Sequence, residues 1–289
     1  MTGGRAINCT GLCNTAVDSS VKPLVFANFL APNMTSVYAA LAARVGRAIG
    51  VPARLIQGDG FEQLRDGSVD VAFLCGLPYV RLCAERPGML YPLAAPILDE
   101  ARYQDRPVYF SDVIVHRDSP FSSFEDLRGR SWAYNDPDSF SGWLLVRHYL
   151  VQIGETETFF GRLAFSGWHQ ESIRRVHAGE IDASAIDSQV LGVERLRNPD
   201  VASELRVIAT LGPSTSPLAV ATAGVPEDLR QQVRDALCDL GRQPEIRDVL
   251  ASGLIRRFTP IDDSAYDDIR QVLAVVDQRR APSSSAGTR

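Results

Sequence analysis

The sequence predicts an α/β protein built from two lobes of the same topology. Apolar runs alternate with amphipathic stretches from residue 23 onward, which is the pattern of strands followed by helices. The order strand, helix, strand, helix, strand occurs twice, over residues 23–76 and 130–187. An internal repeat of this kind indicates two units with one topology. Because the chain must pass between two such lobes, we expect a cleft where they meet.

Each repeat is predicted to contain three strands and two helices. In the first repeat the strands cover 23–30, 52–58 and 69–76, and the helices cover 35–50 and 61–66. In the second repeat the strands cover 130–134, 162–167 and 181–187, and the helices cover 141–154 and 169–179. A glycine follows each of these helices or ends it, as is typical of helix C-termini.

Two details distinguish a true repeat from general α/β alternation. The first strand–helix turns are similar, APNMTS at 31–36 and DPDSFS at 136–141. In both repeats the second helix ends at a glycine. After one intervening residue, a β-branched residue and an aspartate follow this glycine, as in 67–70 and 179–182. These matches predict equivalent turns in the two lobes.

The lobe boundaries are predicted to lie in the two segments that connect the repeats. Residues 109–118 precede the second repeat and are the predicted outward crossing, and 210–224 contains the prolines and glycines expected of a return. The helical pattern after Pro226 should then pack on the first lobe. The predicted first lobe comprises 22–109 and 213–277, the second comprises 110–212, and 1–21 and 278–289 are predicted flexible ends.

Composition and charge exclude several classes of function. The 289 residues carry a net charge of -5, which argues against a nucleic-acid surface. Lys22 is the single lysine, so a Schiff base or a lysine-based phosphate site has little support. Cys9 and Cys13 lack a nearby histidine or second cysteine pair, so we predict no metal site, and we predict no cofactor.

The expected cellular location depends on the N-terminal segment. Residues 1–21 are polar and lack the apolar stretch of about 7–15 residues that marks a signal peptide. We therefore expect a cytoplasmic protein, or a periplasmic one if the export signal is missing from this sequence. The five cysteines are an odd number, which fits free thiols in a reducing compartment.

The segment NDPDSFSGWLL at 135–145 is the strongest candidate for a binding site. Ser139, Phe140, Ser141 and Gly142 are predicted to form the first turn of a helix, where backbone N–H groups lack partners and carry partial positive charge. Two hydroxyls beside such amides make a cradle for an anion. The alternative is that these residues only cap the helix.

Four further residues are candidates for the same cleft. His169 opens a helix directly after a strand and could donate to an anion, and Asp187 ends a strand and could accept from a protonated oxyanion or a ligand amine. Tyr79 and Tyr109 have the amphipathic side chains that often line clefts. Helix capping and ordinary core packing remain the alternatives for these residues. We expect a monomer that binds a small anionic molecule.

These residues lie in stretches that resemble a known family. YFSDVIVHRDSPFSSFEDLRGRSWAYNDPDSFSGWL at 109–144, SGWHQESI at 166–173 and EIDASAIDS at 180–188 are similar to the phosphonate/phosphite substrate-binding proteins of ABC importers. The resemblance extends from about residue 22 to 274 and implies a two-lobed type II periplasmic-binding-protein-like fold with the ligand cleft between its lobes. It also implies an ABC permease as partner and a pocket that uses Tyr109, Ser139, Ser141, His169 and Asp187.

The sequence departs from that family at two positions near the candidate site. Phe140 stands where the family usually has threonine, and Trp168 is bulkier than the residue commonly found before the histidine. Both changes predict a ligand with an organic or aromatic portion.

Two other functions remain open at this point. A cytosolic enzyme can use the same two-lobed fold, as can a ligand-sensing module. A hydrolytic triad of Ser139 or Ser141 with His169 and Asp187 has little support, because the sequence lacks a Gly-x-Ser-x-Gly elbow. No DNA-binding helix pair precedes the lobes.

Overall fold

The computed structural model describes residues 22–280 and places them in two α/β lobes, each built on its own sheet. The predicted flexible segments at 1–21 and 281–289 lie outside the described residues, as do Cys9 and Cys13. Residues 278–280, predicted to be part of the flexible end, continue the last helix. No helix within 22–280 combines the length and the apolar character needed to span a bilayer.

The first lobe begins with three strands that alternate with helices. Gly50 and Gly67 have φ angles of 70° and 79°, which glycine adopts without strain after each of the first two helices. The elements are β1 Leu24–Asn28, α1 Thr35–Ile49, β2 Ala53–Gln57, α2 Glu62–Arg65, β3 Val71–Leu74, α3 Gly76–Glu85 and β4 Leu90–Leu98.

The second lobe repeats this pattern. Its first helix begins with a π-helical turn, Phe140–Leu144, in which the Leu144 N–H donates to the Ser139 carbonyl at 3.0 Å. The elements are β5 Val108–His116, β6 Ser131–Tyr134, α4 Leu145–Gln152, β7 Arg162–Phe165, α5 His169–His177, β8 Ala183–Asp187, α6 Ser188–Arg197, α7 Pro199–Ser203 and β9 Leu205–Thr215.

The chain then returns to the first sheet. Helix α8 packs on α1 and on the first sheet, as the pattern after Pro226 predicted. The elements are β10 Leu218–Thr222, α8 Glu227–Asp239, α9 Arg247–Ser252, β11 Ile255–Pro260 and α10 Asp267–Arg280.

The strand orders confirm the predicted repeat. The first sheet has the order β11-β4-β10-β3-β1-β2, and the second has β7-β6-β8-β5-β9. In each, the first strand of the repeat pairs in parallel with the other two, and an antiparallel strand flanks the third. The repeated aspartates have the same role, since the carboxylates of Asp70 and Asp182 each accept an N–H of the first strand, from Val25 and Ser131, at 2.8 Å.

The outward crossing lies earlier than predicted. Strand β5 belongs wholly to the second sheet, so the chain changes sheets between Leu98 and Val108 rather than at 109–118. Arg102 anchors this crossing, because its guanidinium donates to both carboxylate oxygens of the buried Asp112 in β5, at 3.0 and 2.8 Å. A long apolar strand next to a crossing has no local sequence feature that marks where it begins.

Candidate functional site

A cavity of about 600 Å³ lies between the two lobes. Six strand–helix turns reach it, three from each lobe, because the parallel strands of both repeats end on the side where the lobes face each other. The first lobe contributes Phe29–Ala31, Met34, Tyr38, 57–61, Cys75 and Pro78, and the second contributes Asn135, Asp136, Asp138, Ser139, Ser141, 167–169, Asp187, Gln189 and Val190. Pro217 completes the lining.

Four of the predicted site residues line this cavity together. They are Ser139, Ser141, His169 and Asp187, which come from three different turns of the second lobe. All four are buried despite their polar side chains. Buried polar groups that face a cavity are suited to hydrogen bonding with a bound molecule.

Ser139 is the N-cap of the π-helical turn. Its hydroxyl oxygen accepts the Gly142 N–H at 3.0 Å, so part of its hydrogen-bonding capacity is used in capping. Gly142 does not line the cavity, and its Cα packs against the Asn135 side chain. A Cβ at this position would lie 1.7 Å from Asn135 Oδ1. Residue 142 must therefore be glycine, because the Asn135 side chain packs directly against its Cα. The assignment of Gly142 as a ligand contact is therefore corrected.

Ser141 and His169 form the polar centre of the cavity. The Ser141 hydroxyl lies 3.4 Å from His169 Nε2, and the Ser111 hydroxyl fixes the turn by donating to the Ser141 carbonyl at 2.7 Å. His169 Nδ1 is buried without a partner among residues 22–280. Burial lowers the pKa of His169 to about 3, so the imidazole is neutral at neutral pH and can donate from one nitrogen and accept at the other.

Asp187 caps α6 and faces the same cavity. One of its carboxylate oxygens, Oδ1, accepts the N–H groups of Gln189 and Val190 at 2.8 and 3.2 Å. Burial raises the pKa of Asp187 to about 7, and the two amides oppose that shift. Near neutral pH this carboxyl group is therefore present in both protonation states and can act as donor or acceptor.

Tyr109 lies beneath the cavity rather than on its surface. Its ring is buried, and its hydroxyl has no partner in hydrogen-bonding geometry within the described chain. The hydroxyl is close to the Ser141 hydroxyl and the Cys75 thiol, and burial holds the pKa of Tyr109 well above its usual value. Tyr109 is thus a neutral donor adjacent to the predicted cradle.

Besides Gly142 and Tyr109, two more predicted site residues do not line the cavity. The Tyr79 hydroxyl donates to Asp263 Oδ1 at 2.6 Å, and its ring packs against Tyr266 with 5.0 Å between centroids. Phe140 is fully buried in the hydrophobic core and is not a lining residue. Tyr79 therefore connects α3 to the segment before α10, and Phe140 stabilises the π-helical turn from below. Neither contacts the space available to a ligand.

Sequence reasoning missed several residues of the cavity. Asn135 follows β6 directly, and its Oδ1 is buried without a partner in the described part of the chain. Phe29 follows β1, Phe61 precedes α2, and Gln57 ends β2. Their position at the carboxyl ends of strands was the available signal. In the first-lobe turn at 31–36, which the sequence predicted to be equivalent to 136–141, the Thr35 hydroxyl is bonded within the lobe: it accepts from the Asn28 side chain at 3.1 Å and donates to Gln57 Oε1 at 3.3 Å.

The charged residues that line the cavity are acidic. Among the lining residues that the structure describes there is no lysine or arginine, and the charged ones are Asp59, Asp136, Asp138 and Asp187. Asp138 forms an ion pair with Arg81, and desolvation raises the pKa of Asp136. Within residues 22–280 no cluster of His, Cys, Asp and Glu side chains is placed to hold a metal ion. An anion in this cavity must therefore rely on neutral donors and helix N-termini.

Two similar lobes that enclose a cavity lined by helix N-termini and neutral donors define a binding protein for a small molecule. The chain belongs to the family of periplasmic substrate-binding proteins of phosphonate ABC transporters, whose sequence profile matches residues 24–266. It is 22% identical to the phosphonates-binding periplasmic protein of Escherichia coli K12 over 239 aligned residues. The aligned region covers 81% of this chain and 67% of that protein.

Two solved structures share this fold. PhnD1 from Prochlorococcus marinus, in complex with methylphosphonate, superposes with a TM-score of 0.79 at 18% identity, covering 89% of this chain and 99% of that one. A binding component of an ABC phosphonate transporter from Pseudomonas aeruginosa gives 0.78 at 19% identity, covering 89% and 88%. The predicted two-lobed type II fold is confirmed.

Membership of this family decides between the functions left open by the sequence. The protein binds a small-molecule ligand as the substrate-binding component of an ABC transporter, and an ABC permease is its partner. The enzyme and sensing alternatives are not supported. The family is a periplasmic one, which supports the periplasmic alternative for location.

Proposed function

We propose that the cleft captures a phosphonate or a closely related oxyanion and presents it to the permease. The observation that carries this proposal is the convergence of Ser139, Ser141, His169 and Asp187 on one cavity, with Tyr109 directly beneath. Asn135 Oδ1 and His169 Nδ1, on two side chains that line the cavity, are buried without a partner among residues 22–280 and so retain hydrogen-bonding capacity.

The oxygens of the ligand would be held by neutral groups. The Ser141 hydroxyl and a ring N–H of His169 donate to one side of the headgroup, and amides of the π-helical turn add partial positive charge. Asp187 then either donates to a fully ionised headgroup or accepts from one that retains a proton. This arrangement binds an anion without an arginine or lysine, in agreement with the acidic lining.

The two lobes are proposed to close on the ligand as units. We propose 22–107 with 216–277 as the first lobe and 108–215 as the second, which moves the expected boundaries at 109/110 and 212/213 so that β5 and β9 lie wholly in the second lobe. We propose that the protein is a monomer, because one chain contains both walls of the cleft. We also propose a periplasmic location, because the family is periplasmic. Closure would remove water from the headgroup and strengthen each hydrogen bond to it.

Replacing Ser141 with alanine is expected to weaken methylphosphonate binding by roughly 10-fold or more, because a hydrogen bond to a charged group contributes about 1.5–3 kcal/mol and about 1.4 kcal/mol corresponds to a factor of ten. Calorimetric titration measures this change directly. Ser184→Ala is the matched control, since the Ser184 hydroxyl is also buried but donates to the Ala133 carbonyl, away from the cavity.

The comparison tests the placement of the ligand. Ser184→Ala should keep the wild-type affinity for methylphosphonate, and thermal melting should show that both variants are folded. Equal affinity in Ser141→Ala and wild type would mean that Ser141 only shapes the turn and that the headgroup binds elsewhere.

A further inference from the structure

The kinds of side chain that line the cavity differ between its interior and its entrance. Ser141 and His169, at the polar centre, are 3% and 6% exposed. Phe29 and Phe61 are half-buried, and the Trp168 side chain is 46% exposed. The serine and imidazole groups therefore lie deep, beside the buried Met34 and Tyr38, and three aromatic side chains lie nearer to solvent together with Asp59. A molecule that fits this gradient has a polar head that enters first and an apolar body that follows.

The first lobe supplies a fixed aromatic wall. The rings of Phe29 and Phe61 lie 5.5 Å apart between centroids, and the Phe29 N–H donates to the Phe73 carbonyl of β3 at 3.0 Å. Gly58 makes room for this wall, because a Cβ there would lie 2.4 Å from the Phe29 ring. Both phenylalanines pack partly on the core and turn the rest of their surface to the cavity.

The second lobe supplies an indole that other side chains leave uncovered. Trp168 is the N-cap residue of α5, and its carbonyl is held by the Ser172 N–H at 3.1 Å and the Ser166 hydroxyl at 3.3 Å. Its backbone is thus fixed next to His169. When an apolar group binds in a closing cleft, it covers the exposed surface of such a tryptophan. The burial of this aromatic surface contributes favourably to the free energy of binding.

The charges of the lining argue against other kinds of ligand body. A body with further anionic groups would meet aspartates and no lining arginine or lysine. A cationic body would find three of the four carboxylates engaged, since Asp138 pairs with Arg81, Asp136 accepts the Asp138 N–H and Asp187 accepts two backbone amides, which leaves the exposed Asp59 for it to contact. The cavity volume of about 600 Å³ leaves room for a ligand larger than a bare oxyanion head.

We propose that the ligand is an amphipathic oxyanion, with one phosphonate-type headgroup on an aromatic body. The headgroup occupies the polar centre, and the body lies between Trp168 of the second lobe and the Phe29–Phe61 wall of the first. This inference rests on the proposed function and specifies its ligand class. Trp168 is then the residue that selects for the body, through a contact that the headgroup does not share.

The test is a calorimetric series in which the headgroup stays constant and the body changes. Phenylphosphonate is expected to bind at least about 30-fold more tightly than methylphosphonate, which corresponds to about 2 kcal/mol. 2-Aminoethylphosphonate and a nucleoside triphosphate serve as the cationic and polyanionic comparisons, and both should bind more weakly than phenylphosphonate.

Trp168→Ala separates the body from the headgroup. This variant should lose about 10-fold in affinity for phenylphosphonate and clearly less for methylphosphonate, because the aromatic body contacts the indole and the headgroup does not. Phe165→Ala is the matched control, because Phe165 is a more exposed aromatic residue on the same lobe, at 56%, and does not line the cavity. It should leave both affinities unchanged.

The possible failures are distinguishable. If methylphosphonate binds as tightly as phenylphosphonate, or if the aminoalkyl or nucleotide compound binds most tightly, the inferred ligand class is wrong and the phosphonate function stands. An equal loss for both phosphonates in Trp168→Ala would likewise overturn the role of the indole. If no phosphonate binds to the wild-type protein, the proposed function itself fails.

Discussion

Replacing Phe140 with threonine is expected to lower the free energy of unfolding by at least about 3 kcal/mol and to leave ligand preference unchanged. The Phe140 side chain is fully buried in the core, and the loss of a buried aromatic ring typically costs about 3–5 kcal/mol. The threonine hydroxyl would add the cost of burying a polar group without a designed partner. Urea denaturation of the purified variant measures the change.

Phe165→Thr provides the control for this substitution. Phe165 is 56% exposed at the end of β7, so its replacement should cost much less than that of Phe140. From the sequence, Phe140 was instead interpreted as a pocket residue that indicates a ligand with an organic or aromatic portion. A variant with wild-type stability and a new preference for methylphosphonate would contradict the placement of Phe140 in the core.

The dependence of stability on pH is expected to show two opposing contributions from the cavity. The pKa of Asp187 is raised from about 3.8 to about 7, so from about pH 4 to 7 the folded state keeps a proton that the unfolded state has released. This contribution lowers stability as pH rises. The pKa of His169 is lowered from 6.5 to about 3, so between these values the unfolded state holds the extra proton, and stability rises with pH.

Single substitutions should reveal each contribution. Between about pH 4 and 6.5 the two slopes, each up to about 1.4 kcal/mol per pH unit, nearly cancel in the wild-type protein. Asp187→Asn should become more stable relative to wild type as pH rises over this window, by up to about 3 kcal/mol. His169→Gln should change by a similar amount in the opposite direction.

Chemical denaturation of the ligand-free proteins at several pH values checks both signs. Wild type is the reference, since every other titrating group is common to the three proteins. Parallel curves for wild type and Asp187→Asn would mean that this carboxyl group is solvated and ionised normally. A His169→Gln variant that gains stability with pH relative to wild type would contradict a neutral, buried imidazole.

The two-lobed fold was predictable because its signals are local and occur twice. Gly67 and Gly179 end equivalent helices, and Asp70 and Asp182 fix equivalent strands through the same hydrogen bond. Each of these roles depends on a few neighbouring residues, so it leaves a pattern in the sequence. The three strands of each repeat have the same order in the two sheets, β2-β1-β3 and β7-β6-β8.

The polar part of the site was predictable for a similar reason. Ser139, Ser141, His169 and Asp187 lie where strands end and helices begin, and such turns converge in an open α/β sheet. What could not be predicted is the direction of each side chain. The π-helical turn puts one extra residue into the start of the helix, and Phe140 then faces the core, an arrangement without a sequence signature.

Long-range packing explains the remaining errors. Tyr79 faces Asp263, which is 184 positions away in the sequence, and no local feature links the two. Phe29 and Phe61 resemble any apolar residue beside a strand, so only their place at the cavity shows that they form its wall. Trp168 was noted from the sequence because it is bulkier than the residue usual at that position. In the structure it is partly exposed, so its indole is available to contact a ligand.

A crystal structure of the protein with methylphosphonate tests the central claim most directly, because it shows where the headgroup binds. We expect phosphonate oxygens within about 2.5–3.2 Å of Ser141 Oγ and His169 Nε2, with the lobes closed around them. A second cavity of about 540 Å³, lined by α4, β9 and α10 and including His148 and Asp268, offers a clear alternative location. An anion bound there, with only water between the lobes, would contradict the account.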